Sequence, residues 1–458
     1  MAFSSRIRTH GEIMTRNYPW HFMGFLILVF IIPHIYTLLN IFWIGRISMD
    51  AFAITEQNEF TEIAIQVLVA SIPAGVLALT AQHYHDRGKV IEILKAALIL
   101  QVALSLLLTI IIIVFNQELM GMIGTPGSIV NPTREYLLLK AITIPFDMVA
   151  YILLVTITSL QKGKEAFLLV TISIIVNIIL DLFLISSTPV SLQMGIPGVA
   201  IANLISQIVL TGIAAVYLFP FLRITIPSLL TAAWRREVIP LFRIGGWSGL
   251  ETVVRMTGVI WILIILNGLG MDEYAGFGLA TWIFWILLMP VFGIGQGTSV
   301  LVGNYFSERR YRDLLDMVKT SLLVVTGFML AAGLTGILWW HPVSLFLNPN
   351  PGIAAFSFAA FLGLIIGFIG YGIGSVLRSI FYGTGQTRYV FYIGIITSLG
   401  IILPFFILVK TGFLAPTFSM VMMVYLVANI ADPILAYVWA RHVVAGFPVG
   451  NNDTAASA

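Results

Sequence analysis

The sequence predicts an all-α polytopic membrane protein with about twelve transmembrane helices in two pseudo-symmetric six-helix bundles. Three observations carry that expectation. The chain of 458 residues is 59% hydrophobic and 10% charged, with a mean hydropathy of +0.99, whereas soluble domains hold about 25% charged residues. Apolar runs of around 20 residues, long enough to cross a bilayer as helices, recur from end to end. The two halves also resemble each other at an offset of about 222 residues.

The expected spans lie near 20–44, 54–80, 96–115, 137–160, 166–186 and 198–219, then near 244–267, 275–302, 320–340, 353–382, 389–409 and 416–440. The first apolar run exceeds the h-region of a cleavable signal. It carries His21 and His34, which read as interface or hydrogen-bonded residues. Pro33, Pro73, Pro145, Pro290 and Pro404 fall inside spans and should kink or weaken them. Trp282, Phe284, Trp285 and Met289 in the eighth span read as a lipid-facing patch or, since aromatics and methionines suit promiscuous binding, as part of a drug pocket. Arg378, near a span end, is expected to snorkel toward water.

The repeat rests on three matches in equivalent loops. Ser48-Met49-Asp50 pairs with Gly270-Met271-Asp272, Tyr84 and Asp86 with Tyr305 and Glu308, and Gln161-Lys162-Gly163 with Gly383-Thr384-Gly385. An even number of spans per repeat gives both halves one orientation, related by an axis along the membrane normal. The expected plan is an N-terminal six-helix lobe at 1–220, a cytoplasmic linker at 221–243, a C-terminal six-helix lobe at 244–445 and a disordered tail at 446–458. Within the linker, Pro227, Pro240 and the amphipathic Trp234-Arg235-Arg236-Glu237 suggest a segment lying on the membrane surface. Lys and Arg concentrate in alternate loops, which places both termini in the cytoplasm. The expected location is the cell (plasma or inner) membrane, as a multi-pass monomer.

The net charge of +3 and pI near 9.0 reflect those loops rather than nucleic-acid binding. With no cysteine, the chain has no disulfide framework and no thiolate metal site. It has no Gly-rich phosphate loop and no metalloprotease helix motif. It is expected to be no enzyme and to need no cofactor.

Ionisable residues inside spans are costly and usually mark an ion or proton path. Asp181 follows Asn177 by one helical turn, so the two share a face. Glu56, Glu59 and Glu62 open the second span at steps of three, on one face. They share protons or cations with Asp181, or they sit in water at the extracellular mouth. Asp147, after Pro145, joins that cluster or is satisfied locally at the kink. Glu251 and Arg255, spaced i, i+4, form an internal ion pair; otherwise Arg255 meets an anionic group of a substrate, or Glu251 binds a cation. An acidic first half beside a second half with two in-span arginines suits a zwitterionic or amphipathic substrate.

The sequence resembles the multidrug and toxic compound extrusion (MATE) transporters of the multidrug/oligosaccharide-lipid/polysaccharide (MOP) flippase superfamily. The resemblance is carried by Asn40 to Ile47, Ala81-Gln82, Asn177 to Asp181, Gly195 to Ala202, Gly249-Leu250-Glu251, Pro290 to Gly303 and Tyr382 to Arg388. It implies a two-lobed, twelve-helix exporter driven by a proton or sodium gradient. It implies a cation site in the N-terminal lobe at Asn177, Asp181 and the first-span position held here by Asn40, where family members typically carry an aspartate. It also implies a possible Na+ site at Asp181 or at Glu251, although the tenth-span acidic position of sodium-coupled members has no carboxylate here. The expected function is therefore secondary-active export of small amphipathic organic compounds by H+ or Na+ antiport. Asp181, Asn177, Asn40, Glu56, Glu59 and Glu62 would couple the cation, and Glu251, Arg255 and Asp147 would line the substrate cleft. The alternative is a flippase for a lipid-linked or anionic precursor that uses Arg255.

Overall fold

A computed structural model describes residues 18–47, 50–56, 59–123, 125–186, 188–224 and 232–447, apart from some side chains around the first two spans and at 122–123. Twelve helices among these are long and apolar enough to cross a membrane, and no strand occurs among the described residues. They are α1 (Trp20–Ile47), α2 (Glu62–Gln82), α3 (Arg87–Val114), α4 (Val130–Ser159), α5 (Gly163–Leu184), α6 (Ile196–Leu222), α7 (Arg235–Asn267), α8 (Met271–Ser307), α9 (Tyr311–Leu347), α10 (Pro351–Thr384), α11 (Arg388–Lys410) and α12 (Phe418–Ala445). Every span expected from the sequence is matched by one of these helices.

Two prolines break helices where their missing N–H and ring demand it. In α2 the helix stops at Ser71 and restarts at Ile72 with Pro73 in its first turn, and the Ser71 hydroxyl donates to the Leu68 carbonyl at 2.9 Å. In α11 the chain reaches Pro404 through a π-helical stretch, Ile395–Ile402. The wider turn relieves the clash a proline ring would make with the carbonyl one α-turn earlier.

The chain divides into two compact units, Gly24–Gly249 and Met1–Met23 with Leu250–Ala458. In the first, α4 is the hub and packs on α2, α3 and α6. Its centre is Leu137, Ile144, Met148 and Ile152, all almost fully buried. In the second, α10 is the hub and packs on α8, α9 and α12. The same fourth-helix-centred plan thus recurs in each half. After each hub helix the chain turns through a left-handed residue, Gln161 (φ 60°) and Gly385 (φ 74°). In each turn the next N–H bonds a carbonyl five residues back, Lys162 to Ile157 at 3.1 Å and Gln386 to Phe381 at 2.8 Å. The structural register therefore pairs Gln161 with Gly385, two residues beyond the sequence match at Gly383, because the helix end rather than residue identity fixes the turn.

In the second unit, α10 presents Gly363, Gly367, Gly370 and Gly374 to α12. A Cβ at Gly367 would lie 3.0 Å from Asn429 Cβ, and one at Gly370 would lie 3.1 Å from the Asn429 carbonyl. Small residues at this spacing let two helix backbones approach closely. The aromatic patch of α8 is partly corrected. Phe284 and Met289 are buried, with Phe284 stacked on Phe368 at 3.9 Å, while Trp282 and Trp285 stay exposed. Phe277, Ala280, Phe284, Leu288 and Val291 fall on one face at steps of three and four, and that face meets the core.

The linker region also differs from expectation. Residues 225–231 and 448–458, and with them most of the expected tail, lie outside the described residues. Arg235 to Arg243, read as surface linker, form the first turns of α7. Glu237 is buried in a salt bridge with Lys89, and Gly75 approaches Leu241 so closely that a Cβ would sit 2.9 Å from the Leu241 carbonyl. A buried carboxylate needs a partner, and Lys89 supplies it. At the other end of the chain, the Tyr18 hydroxyl bonds Ser321 at 3.1 Å.

Candidate ion and ligand sites

On α5 the usual amphipathic pattern is inverted. Leu168, Ile172, Ile175 and Ile179 are exposed, while Ser173, Asn177 and Asp181, one per turn, are buried against protein. Asp181 is 0% exposed. Its Oδ2 accepts a 2.9 Å hydrogen bond from the hydroxyl of Tyr36 on α1. Asn177 donates from Nδ2 to Asn203 Oδ1 on α6 at 2.8 Å, and Ser173 donates to the Ser206 carbonyl at 3.1 Å. Among the described residues, the buried oxygens Asp181 Oδ1, Asn177 Oδ1 and, on α1, Asn40 Oδ1 have no hydrogen-bond partner. Asn40 lies one turn beyond Tyr36 on α1, so the two share a face. The arrangement offers one formal negative charge, oxygen donors and, among the described residues, no guanidinium paired with Asp181. That donor chemistry fits a proton or a hard monovalent cation. Tyr36 and Asn203 were not singled out from the sequence. The available signal for Tyr36 was its i, i+4 spacing to Asn40.

The glutamates of the second span divide differently. Glu62 forms a 2.6 Å salt bridge with Lys140 on α4. Two turns further along α4, Asp147 lies within electrostatic range of both. The side chains of Glu56 and Glu59 lie outside the described residues. Lys140 is thus the partner of one member of the acidic face.

The second unit holds a buried quartet. Arg255 Nε donates to Glu251 Oε1 at 2.6 Å, and its Nη2 also engages Glu251. Both Nη atoms of Arg255 lie 3.4 Å from Asp432 Oδ2. The opposite oxygen, Asp432 Oδ1, is bonded by Arg378 Nη1. The ring of Tyr371 faces both guanidiniums, 5.6 Å from Arg255 and 4.9 Å from Arg378. Glycines make the room: a Cβ at Gly394 would meet Glu251 Cγ at 3.0 Å, and one at Gly374 would strike Asp432 Oδ1. The i, i+4 pair expected from the sequence is present, whereas Arg378 does not snorkel. It is buried because Asp432, at 1% exposure, needs a counter-charge there. Asp432 was missed, although it is the only acidic residue of α12.

Glu251, Arg255 and Asp432 border a cavity of about 210 Å³, walled by Trp285, Phe368, Tyr371 and Tyr425 and edged by Thr397, Ser398 and Asn429. Thr397 and Ser398 belong to the π-helical stretch, a feature frequent at functional sites.

Twelve apolar helices in two like-built units, with ionisable side chains buried in each, define a polytopic membrane transporter. The sequence pattern of the MatE family matches residues 26–183 and 249–408. The chain belongs to that family, the MATE transporters, whose members are transporters and not enzymes. Similar proteins include the probable multidrug resistance protein NorM of Thermotoga maritima, 22% identical over 72% of this chain and 71% of its own length. The multidrug export protein MepA of Staphylococcus haemolyticus is 21% identical over 80% and 81%. Among solved structures, an outward-facing multidrug resistance MATE transporter superposes with a TM-score of 0.86 at 18% identity, covering 95% of this chain and 98% of the other. A MOP superfamily transporter from Pyrococcus furiosus, described as having a binding pocket of reversed polarity, gives 0.84 at 18% identity over 95% and 98%.

Proposed function

We propose that this protein is a secondary-active exporter of amphipathic organic compounds, driven by H+ or Na+ antiport. The observation that carries the reading is Asp181: a fully buried carboxylate with a neutral hydrogen-bond donor on one oxygen and, among the described residues, none on the other. Export of multidrug type is supported by the names of the NorM and MepA relatives. The proposed site for the coupling cation is Asp181 with Asn177 and Asn40, whose oxygens would hold it; Asn40 contributes a neutral oxygen and does not titrate. Bound there, the cation would supply the positive charge that Asp181 otherwise lacks. It can shift a two-state equilibrium only if the two states bind it differently. A carboxylate opened to water in one state and closed in the other has that property.

In this reading the transporter acts in a cell membrane as a monomer with both termini cytoplasmic, alternates access between its two sides and needs no cofactor. The flippase alternative, with Arg255 binding an anionic precursor, is disfavoured because Glu251 and Asp432 already engage that guanidinium. The test is Asp181→Asn in proteoliposomes with pH and sodium gradients imposed separately. Gradient-driven efflux of dyes is expected to be lost while the purified variant remains monodisperse. Efflux at the wild-type rate would remove Asp181 from the mechanism.

A further inference from the structure

The family implies a possible Na+ site at Glu251, and the residues around Glu251 do not suit one. Two carboxylates, Glu251 and Asp432, meet two guanidiniums, Arg255 and Arg378, so the quartet carries no net formal charge. Cations are drawn into a protein interior by uncompensated negative charge and oxygen donors. Here the charge is already compensated.

The two arginines are not equivalent. The Arg378 side chain is 6% exposed and sits on one oxygen of Asp432. The Arg255 side chain is 22% exposed, borders the cavity and touches both carboxylates. Its grip is uneven, close on Glu251 and 3.4 Å from Asp432. The guanidinium therefore occupies the space between the acids that a free ion would need. The cavity edge also holds Asn429, Thr397 and Ser398. Thr397 donates its own hydroxyl proton to the Ile393 carbonyl at 2.9 Å, which leaves its oxygen lone pairs directed elsewhere.

We propose that Arg255 is a resident cation: it takes the place of a monovalent ion between Glu251 and Asp432, so the C-terminal unit binds no coupling ion. The unit keeps the acids and oxygen donors of an ion site, and Arg255 closes it. Removing the Arg255 charge leaves two carboxylates against one guanidinium, a deficit of one positive charge that a sodium ion can fill. Ion coupling would then involve one unit of the molecule alone. This proposal stands independently of the role given to Asp181.

The experiment measures retention of radioactive Na+ by the purified full-length chain in detergent, with choline replacing Na+ as the control. All variants carry Asp181→Asn, so binding near that residue does not contribute. With the quartet intact, retention is expected at background. Adding Arg255→Met is expected to raise it to about one Na+ per folded chain, as for any single-site ligand in excess over its Kd. Adding Glu251→Gln to that variant restores charge balance and should return retention to background. Arg255→Gln, which keeps a hydrogen-bond donor near Glu251, serves if Arg255→Met is not monodisperse. Na+ retained with the quartet intact but lost on Glu251→Gln would overturn the proposal. So would a folded Arg255→Met or Arg255→Gln variant that retains none. Failure of the Asp181 reading shows separately, as undiminished gradient-driven efflux in Asp181→Asn.

Discussion

Asp181 and Asp432 are equally hidden and differently answered. Both are carboxylates inside apolar helices, at 0% and 1% exposure. Among the described residues, Asp181 has a tyrosine hydroxyl on one oxygen and no hydrogen-bond partner on the other. Asp432 has a guanidinium on each oxygen. Desolvating a carboxylate costs several kcal/mol wherever it is buried. In the second unit a permanent counter-charge meets that cost. In the first, a neutral donor meets only part of it, and the group remains able to take up a positive charge. Depth of burial alone therefore does not separate an ion-paired acid from one held by a neutral donor; the charge of its partners does.

The comparison breaks most readily through stability. Asp432→Asn leaves the buried Arg378 and the partly exposed Arg255 short of their shared carboxylate and should cost about 3–5 kcal/mol in detergent-phase unfolding. Asp181→Asn retains an acceptor for Tyr36 and should cost no more than ~1 kcal/mol. Equal losses would erase the distinction. A smaller effect sharpens it: Gly374→Ala drives a methyl group onto Asp432 Oδ1, with an expected loss of ~1–3 kcal/mol from overpacking. An unchanged unfolding midpoint would mean the quartet has slack. A comparable effect is expected from Tyr36→Phe, which removes a hydrogen bond to a carboxylate worth about 1.5–3 kcal/mol. A loss as large as that of Asp432→Asn would show that Asp181 depends on Tyr36 as a structural partner.

The helical plan was legible in the sequence because each span announces itself by local composition. The Asn177–Asp181 ladder and the Glu251–Arg255 pair were legible for the same reason, since i, i+4 spacing is written into the chain. Tyr36, Asn203, Lys140 and Asp432 were less legible because their partners lie on other helices. Tyr36 and Asp181 are 145 positions apart, and Lys140 and Glu62 sit on different spans. The expectation for Arg378 failed by the same logic: snorkelling is what an arginine does without a partner, and its partner was not visible from α10. Arg235 to Arg243 read as linker because charge and proline dominate there, yet the buried salt bridge from Glu237 to Lys89 lets a charged helical turn pack inward.

The pairing of Arg378 with Asp432 also sets an order on biosynthesis. Glu251 and Arg255 emerge from the ribosome together on one helix and can enter the bilayer as a neutral pair. Arg378 precedes its carboxylate by 54 residues, so α10 is made before its neutralising group exists. An arginine in an apolar span costs up to about 2.5–3.5 kcal/mol on insertion scales, the full amount applying at the helix centre. A chain truncated before Phe418 would leave that arginine without its carboxylate, and a lower yield of folded protein is the expected outcome.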